Sequence, residues 1–557
     1  MKGQFLEVGE YTLRRDEKSA QVVEYKVDTP WITMKSSHVW RGLAWRVLAL
    51  CLLGFVFGIA VYRAKTQPIA HDEAIIYNWY LDPGIYRLLL FDPSNHVLFT
   101  FPAKLTVKVL GVNEFALRIP SLFGALVYLV ATYLLCRRLF GDGLLLVLSV
   151  AMLTLNPEIM DFMAAARGYM LGLACLMLAS FIMVRVSELG TFDATVNQWT
   201  RDSAIAAVIL ALAVAANLTF ITPVIALSFA FFALAFLGYP GKQQPAAQAL
   251  RNFERYFVVP GMAVGLFILW PFAIQARPGQ FSRGLHTVSD FLRDAFTSSF
   301  LYKWTDDIYS PSLGAAPPVA GSWQFRVLGL GVYVLLPLLL CFVLGGVAYV
   351  FFADSEKRRQ ELTPCRLFGV TAIGSVAFIM LLGLVAKVDY PMARFCLSLI
   401  PLFTISGLLF ARELAVRFPG YHLVRVLTVM IAMAVVADYA LSLNTKYFRY
   451  NAYDLISLDV YRAIANDAKS RGLSYARVGG SWWYEPEMNF FRRRYDAGWL
   501  TPYSVVDRSF HWQDPTAVLL AEYDYFLFTP TSDPGLAGPR VKTIYHDDKT
   551  QLTIVTH

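Results

Sequence analysis

Long apolar runs, recurring along most of the chain, constrain its fold more than any other feature. The first covers about residues 47–62, and the runs are continuous over roughly 17–25 residues, the length that crosses a bilayer as a helix. Barrel strands would instead alternate over about ten residues. Of the 557 residues, 56% are hydrophobic and only 16% charged, where a soluble domain carries about a quarter charged. The reading is an α-helical polytopic membrane protein. Spans are expected near 43–63, 119–136, 143–157, 168–184, 203–217, 220–237, 257–275, 326–352, 367–386, 395–411 and 426–443, about eleven transmembrane helices in all.

The net charge of +8 speaks for topology, because the cationic clusters abut the apolar runs. Nucleic acid is not an expected partner. Arg41 and Arg46, Arg137 and Arg138, Arg185 to Arg201, Lys242 to Arg255, Lys357 to Arg359 with Arg366, and Arg412 to Arg425 fall on alternate sides. By the positive-inside rule that side is cytoplasmic. The N-terminal segment 1–42 is then cytoplasmic, with the first span as an uncleaved anchor, and the C terminus is extracytoplasmic. The membrane domain is 43–443. Three large pieces face outward: loop 64–118, loop 276–325 and the tail 444–557. The six cysteines (51, 136, 175, 341, 365 and 396) lie in or beside spans, so no disulfide framework or Cys/His metal spacing is expected.

The tail is expected to be an extracytoplasmic α/β domain. Leu458 to Ser470 has helical spacing, with Val460, Ile464 and Ala468 on one face. Tyr475 to Val478, Tyr525 to Phe528 and Gln551 to Val555 have strand character.

Two acids, Asp72 and Glu73, follow the first span directly. Ionisable groups at a membrane boundary are costly unless they line a wet cavity, and mark a functional site by default. The bland alternative is a helix cap, where negative charge is favoured. The same outer loop holds two amphipathic stretches, Asp72 to Leu81 and Asn95 to about Val109, suited to lie in the interface plane and roof a cavity. Arg167 and Arg394 each enter a span from the outer side, against the charge rule. Glu158 or Asp161 could hold Arg167; so could a substrate phosphate, whose oxygens match a guanidinium fork. Tyr169 and His286 are possible acceptor or supporting residues. Trp482 and Trp483 could stack on a sugar, or belong to the core of the tail. Asn217-Leu218-Thr219 is a sequon too near the membrane to carry meaning.

The order Asp72-Glu73, Asn95-His96-Val97-Leu98, Phe115 to Gly124 with Arg118-Ile119-Pro120-Ser121, then Ala166-Arg167-Gly168-Tyr169 and an outer loop bearing Arg394 resembles the C-type (GT-C) glycosyltransferases. The resemblance is to the branch with protein O-mannosyltransferases and lipid A aminoarabinose transferases. It covers about residues 40–240 by motif and the remainder by topology. Val97 stands where that family usually has proline. The resemblance implies a multi-pass inner-membrane enzyme that moves a sugar from a polyprenyl-phosphate donor, with inversion, to a lipid, polysaccharide or protein acceptor on the outer face. Asp72 matches the catalytic base, with Glu73 as auxiliary acid or cap. Arg167, Arg394 and His96 are then the candidates to bind the donor phosphate, His96 as a cation. A divalent metal ion is possible, held by Asp72 and Asp161. The alternatives are a non-catalytic polyprenyl-phosphate carrier, flippase or polymer-export component, and an oligosaccharyltransferase. Against the first, most span interiors lack charge, Asp438 being the marginal exception. Against the second, Ser481 to Tyr484 lacks the acid of the Trp-Trp-Asp motif.

Overall fold

The computed structural model describes the chain apart from residues 1–5, 9–10, 16–21, 27–37, 93, 189–195, 238–244, 278–283, 301–362, 418–421, 449–453, 507–521, 529–541, 548–552 and 557. Among the described residues nine helices are long and apolar enough to cross a membrane: Gly42–Thr66, Glu114–Phe140, Tyr169–Ser187, Gln198–Ala216, Leu218–Ala235, Ala246–Ala273, Thr363–Ala386, Leu399–Val416 and His422–Leu441. The helices Leu144–Thr154 and Pro157–Ala164 together are long and apolar enough for a tenth span, but are bent by 61° at the break between them. The expected span 326–352 and most of loop 276–325 lie outside the described residues.

The expected single span 143–157 is corrected by that bent pair. Its first helix stops at Thr154, and the chain turns 61° into the second. Asn156 and Pro157 cause the break: Pro157 has no N–H to continue a helix, and the Asn156 side chain accepts from the N–H groups of Glu158 and Ile159 at 3.1 and 3.2 Å, starting a new one. Residues 157–164 are buried along their whole length, so Glu158 and Asp161 are delivered into the protein.

Seven helices position the site. α1 is His38–Thr66, α2 His71–Ile76, α3 Val97–Leu110, α4 Glu114–Phe140, α5 Leu144–Thr154, α6 Pro157–Ala164 and α7 Tyr169–Glu188. α1 lies beside α4 and α6, and an ion pair fastens each of its ends. Arg46 and Arg137 meet Asp142 at the expected cytoplasmic end, while Arg63 meets Asp161 at the other, at 2.5 Å.

Toward the C terminus a five-stranded mixed sheet has the order Ser504–Val505, Val478–Gly480, Tyr525–Phe528, Thr553–Thr556, Lys542–His546. The helix Ser457–Ser470 packs on it with Val460, Ile464 and Ala468 buried. A second helix, Glu485–Arg494, leans on α2, with Phe490 edge-on to Tyr77 at 5.2 Å. An antiparallel three-stranded meander at Leu6–Val8, Tyr11–Arg15 and Val22–Lys26 opens the chain, unanticipated from its polar composition. The described cysteines are all free.

Candidate active site

The site forms where loop 64–118 meets the ends of α1, α4 and α6. Arg118 is fully buried near the start of α4 and makes a two-pronged contact with Glu73, at 2.9 Å through Nε and 2.5 Å through Nη2. Its remaining N–H groups donate to the carbonyls of Ala64, Gln67 and Pro68. That one side chain therefore ties down the whole turn between α1 and α2. Glu73 also accepts from the N–H groups of Ala70, at 2.9 Å, and Ala166, at 2.6 Å. It caps its own helix and binds the turn that carries Arg167. With four donors on two oxygens, Glu73 is a clamp, and no lone pair remains directed toward a substrate.

Asp72 points the other way. Its Oδ2 accepts from Arg394 Nη1 and lies 3.1 Å from Arg167 Nη2. The sequence placed all three residues on the outer face; the fold brings them into one ion-paired group joining positions 322 residues apart. They border a small cleft whose walls also include Asp161, Phe162 and Phe448. Arg167 Nε is buried with no hydrogen-bond partner. One edge of this guanidinium thus holds Asp72 while its Nε–H remains unpaired. Burial raises the Asp72 carboxyl, but Arg167 and Arg394, with His71, outweigh it and hold the group far below the usual carboxylate range.

The turn bearing Arg167 is positioned by two short residues. Ser121 Oγ donates to the Ala165 carbonyl at 2.7 Å, so the Arg-Ile-Pro-Ser motif holds loop and turn together through its first and last members. Gly168 is required by close approach: a Cβ there would run into the Ala216 carbonyl and stand 2.8 Å from the His96 Cβ.

The expectation that Glu158 or Asp161 holds Arg167 is corrected. Asp161 pairs with Arg63, which also donates to the Tyr447 carbonyl at 3.1 Å and lies over the Phe448 ring at 5.2 Å. Phe448 takes Arg118 as well, at 5.0 Å. Glu158 is buried at the start of α6. His96 as a cation is corrected too: burial, with Arg167 and Arg394 alongside, pushes its imidazole well below the ordinary histidine value. A neutral ring therefore stands at the head of α3, its Nε2 without a hydrogen-bond partner. Tyr169 packs between that ring, at 5.5 Å, and Phe162, at 4.6 Å. His286 lies on the surface, 82% exposed in its side chain and 3.2 Å from Asp389. Its neighbour Leu285 pairs backbone to backbone with Tyr390 through two 2.8 Å bonds, which fastens the loop leading to Arg394.

The metal expectation meets a physical obstacle. Asp72 lies between two guanidinium groups and Asp161 is paired with a third, so both carboxylates already face cations that would repel a divalent ion. Among the described residues no group of three His, Cys, Asp or Glu side chains could hold one.

Sequence reasoning named Asp72, Arg167 and Arg394 and passed over Arg63 and, as a site residue, Arg118. Both carry the signal that exposed the others, a positive charge at the expected outer end of a span.

No family model and no curated protein matches this chain. Among solved structures, ArnT from Cupriavidus metallidurans bound to undecaprenyl phosphate is similar at 13% identity and a TM-score of 0.44, over 92% of this chain and 98% of that one. The oligosaccharyltransferase of Archaeoglobus fulgidus in complex with zinc and sulfate is similar at 15% identity and a TM-score of 0.44, over 81% of this chain and 62% of that one. The oligosaccharyltransferase AglB of the same organism, with an inhibitory peptide and a dolichol-phosphate, aligns at 12% identity with a TM-score of 0.39.

Proposed function

We propose that the chain is an inverting membrane glycosyltransferase that moves a sugar from a polyprenyl-phosphate donor to an acceptor hydroxyl on the extracytoplasmic face of a cell membrane. The single observation that carries this reading is Asp72 held between Arg167 and Arg394 at the wall of a cleft. It combines a carboxylate able to take a proton with two cations able to take up charge on a departing phosphate. The acceptor oxygen attacks the anomeric carbon from the face opposite the phosphate, and its proton passes to Asp72. The bond from that carbon to the phosphate oxygen breaks, its electron pair stays with the phosphate, and the arginines stabilise the anion.

Charge favours a single phosphate. The Glu73–Arg118 and Asp161–Arg63 pairs are each balanced, and His96 is neutral. One carboxylate then faces two guanidinium groups, an excess of one positive charge, which a phosphodiester cancels and a diphosphate exceeds. That balance supports a polyprenyl-monophosphate sugar over the diphosphate-linked glycan of an oligosaccharyltransferase. The proposed orientation puts the N terminus in the cytoplasm and the α/β domain outside.

The test is transfer by the purified protein in nanodiscs. A panel of polyprenyl-phosphate sugars is offered with envelope acceptors, and transferred sugar and released polyprenyl phosphate are followed by mass spectrometry beside Asp72→Asn. Turnover of one donor that vanishes in the variant is the expected result. Donor binding without turnover by any combination would favour the carrier reading, and full activity of the variant removes Asp72 from the chemistry.

A further inference from the structure

The helix that carries Asp72 is capped from outside itself as well as by its own Glu73. The residue before its first turn is Ala70, which has no side-chain oxygen to receive the free N–H groups of a helix start. Asp454 fills that role: its Oδ2 accepts from the His71 N–H at 2.5 Å. The His71 ring is fixed as firmly. Its Nδ1 lies 2.9 Å from Glu487 Oε1 and 3.0 Å from the Trp483 carbonyl. Both neighbours are acceptors, so Nδ1 carries a proton whatever the state of the rest of the ring.

Glu487 is completely buried and Asp454 nearly so. A carboxylate taken wholly out of water costs several kcal/mol unless a partner compensates it, and the partner of Glu487 is the residue immediately before Asp72. Around this centre the helix Glu485–Arg494 grips the outer loop along its length. The Pro486 carbonyl accepts from Asn78 at 2.8 Å, Arg493 meets Asp82 at 3.2 Å, and Arg494 meets Glu114.

We infer that Glu487 is a positioning residue for Asp72, acting through His71, so that the α/β domain sets the aim of the proposed base. This inference rests on the reading that Asp72 reacts. Asp454 serves the same purpose through the backbone. The groups facing His71 are Glu487, Asp454 and Glu485 from the α/β domain and Asp72 from its own helix. Loss of Glu487 removes the strongest support for a charged imidazole and one of the two acceptors that fix Nδ1.

The experiment compares Glu487→Ala, Glu487→Gln and Asp454→Asn in the full chain in nanodiscs. Hydrogen exchange over residues 67–81 is read with steady-state turnover of the donor found above. Glu487→Ala is expected to speed exchange in the first turn of α2 roughly tenfold. It should lower kcat at least tenfold with KM for the donor unchanged, and move the alkaline limb of the rate profile to lower pH. Glu487→Gln, whose amide oxygen still accepts from Nδ1–H, should recover most of the kcat but keep the shifted limb. If Glu487→Ala fails to fold, the glutamine variant decides alone by that limb. Wild-type exchange and an unmoved limb in the variants, while Asp72→Asn is inactive, would overturn the inference. An active Asp72→Asn would instead overturn the reading beneath it.

Discussion

Asp72→Asn should tighten the binding of polyprenyl phosphate while abolishing transfer. Asp72 occupies one edge of Arg167 at 3.1 Å and is bonded to Arg394. A phosphate on the far edge of either guanidinium stands about 6 Å from the carboxylate, across which two negative charges repel by roughly 2–3 kcal/mol at an effective dielectric of about 20 and less than about 1 kcal/mol in bulk water. The Asp72 side chain is one-fifth exposed, which puts the value between those limits. Taking about 1.4 kcal/mol, the variant should bind roughly tenfold tighter. Direct competition for Arg394 would act with the same sign. Titration of nanodisc-embedded protein with undecaprenyl phosphate reads the affinity, with thermal unfolding as a control, since two unbalanced guanidinium groups should lower Tm until the lipid restores it. Equal or weaker binding in the variant would refute the shared use of these arginines by base and phosphate.

Three other outcomes follow from the same geometry. Glu73→Gln or Arg118→Met strands a buried charge in a pair that is essentially unexposed, and should cost about 3–5 kcal/mol, read as a large fall in Tm and not as a selective loss of turnover. Gly168→Ala should cost about 1–3 kcal/mol or more, because the Ala216 carbonyl blocks the new methyl group; unchanged stability would show that the turn can move away. The grip of the α/β domain on α2 should loosen as pH rises. Burial lowers the His71 imidazole, but the Glu487 carboxylate outweighs it and holds the group above its ordinary value, while burial and Glu487 hold Asp454 well above its own. Both groups are raised in the folded state, so their stabilisation is complete at low pH and is lost as pH climbs through the folded values. Faster exchange over residues 67–81 on the alkaline side checks this, and faster exchange on the acid side would reverse the assignment.

Much of the site was legible because a membrane makes charge conspicuous. Asp72, Arg167 and Arg394 were each visible as an ionisable group where hydrophobic sequence should prevail. Their pairing was not, since Asp72 and Arg394 meet across most of the chain and nothing local encodes that distance. Asp161 was a natural partner for Arg167 by proximity in sequence, yet α6 aims it at Arg63. The break at Asn156-Pro157 could have been read from its cap and its proline, but unbroken hydropathy across 143–157 concealed it. His96 needed burial and two neighbouring cations to be known as neutral. In the tail, Leu458 to Ser470 declared itself by period and Tyr525 to Phe528 by its apolar run, whereas Glu487 and Asp454 have meaning only against α2.

Phe448 has a consequence for how this protein could be divided. The ring covers Arg63 and Arg118 together, and the adjacent Tyr447 carbonyl satisfies Arg63. The chain that leads out of the last described membrane helix toward the sheet thus completes the burial of two cations from the beginning of the protein. Cutting before residue 447 would not yield a smaller, simpler membrane unit, because it would unroof both arginines and free the first loop. A chimera that exchanged only the tail would inherit the same fault unless the incoming sequence supplied an aromatic ring at that junction. The modules visible in the fold are therefore not modules that a cloning boundary can respect.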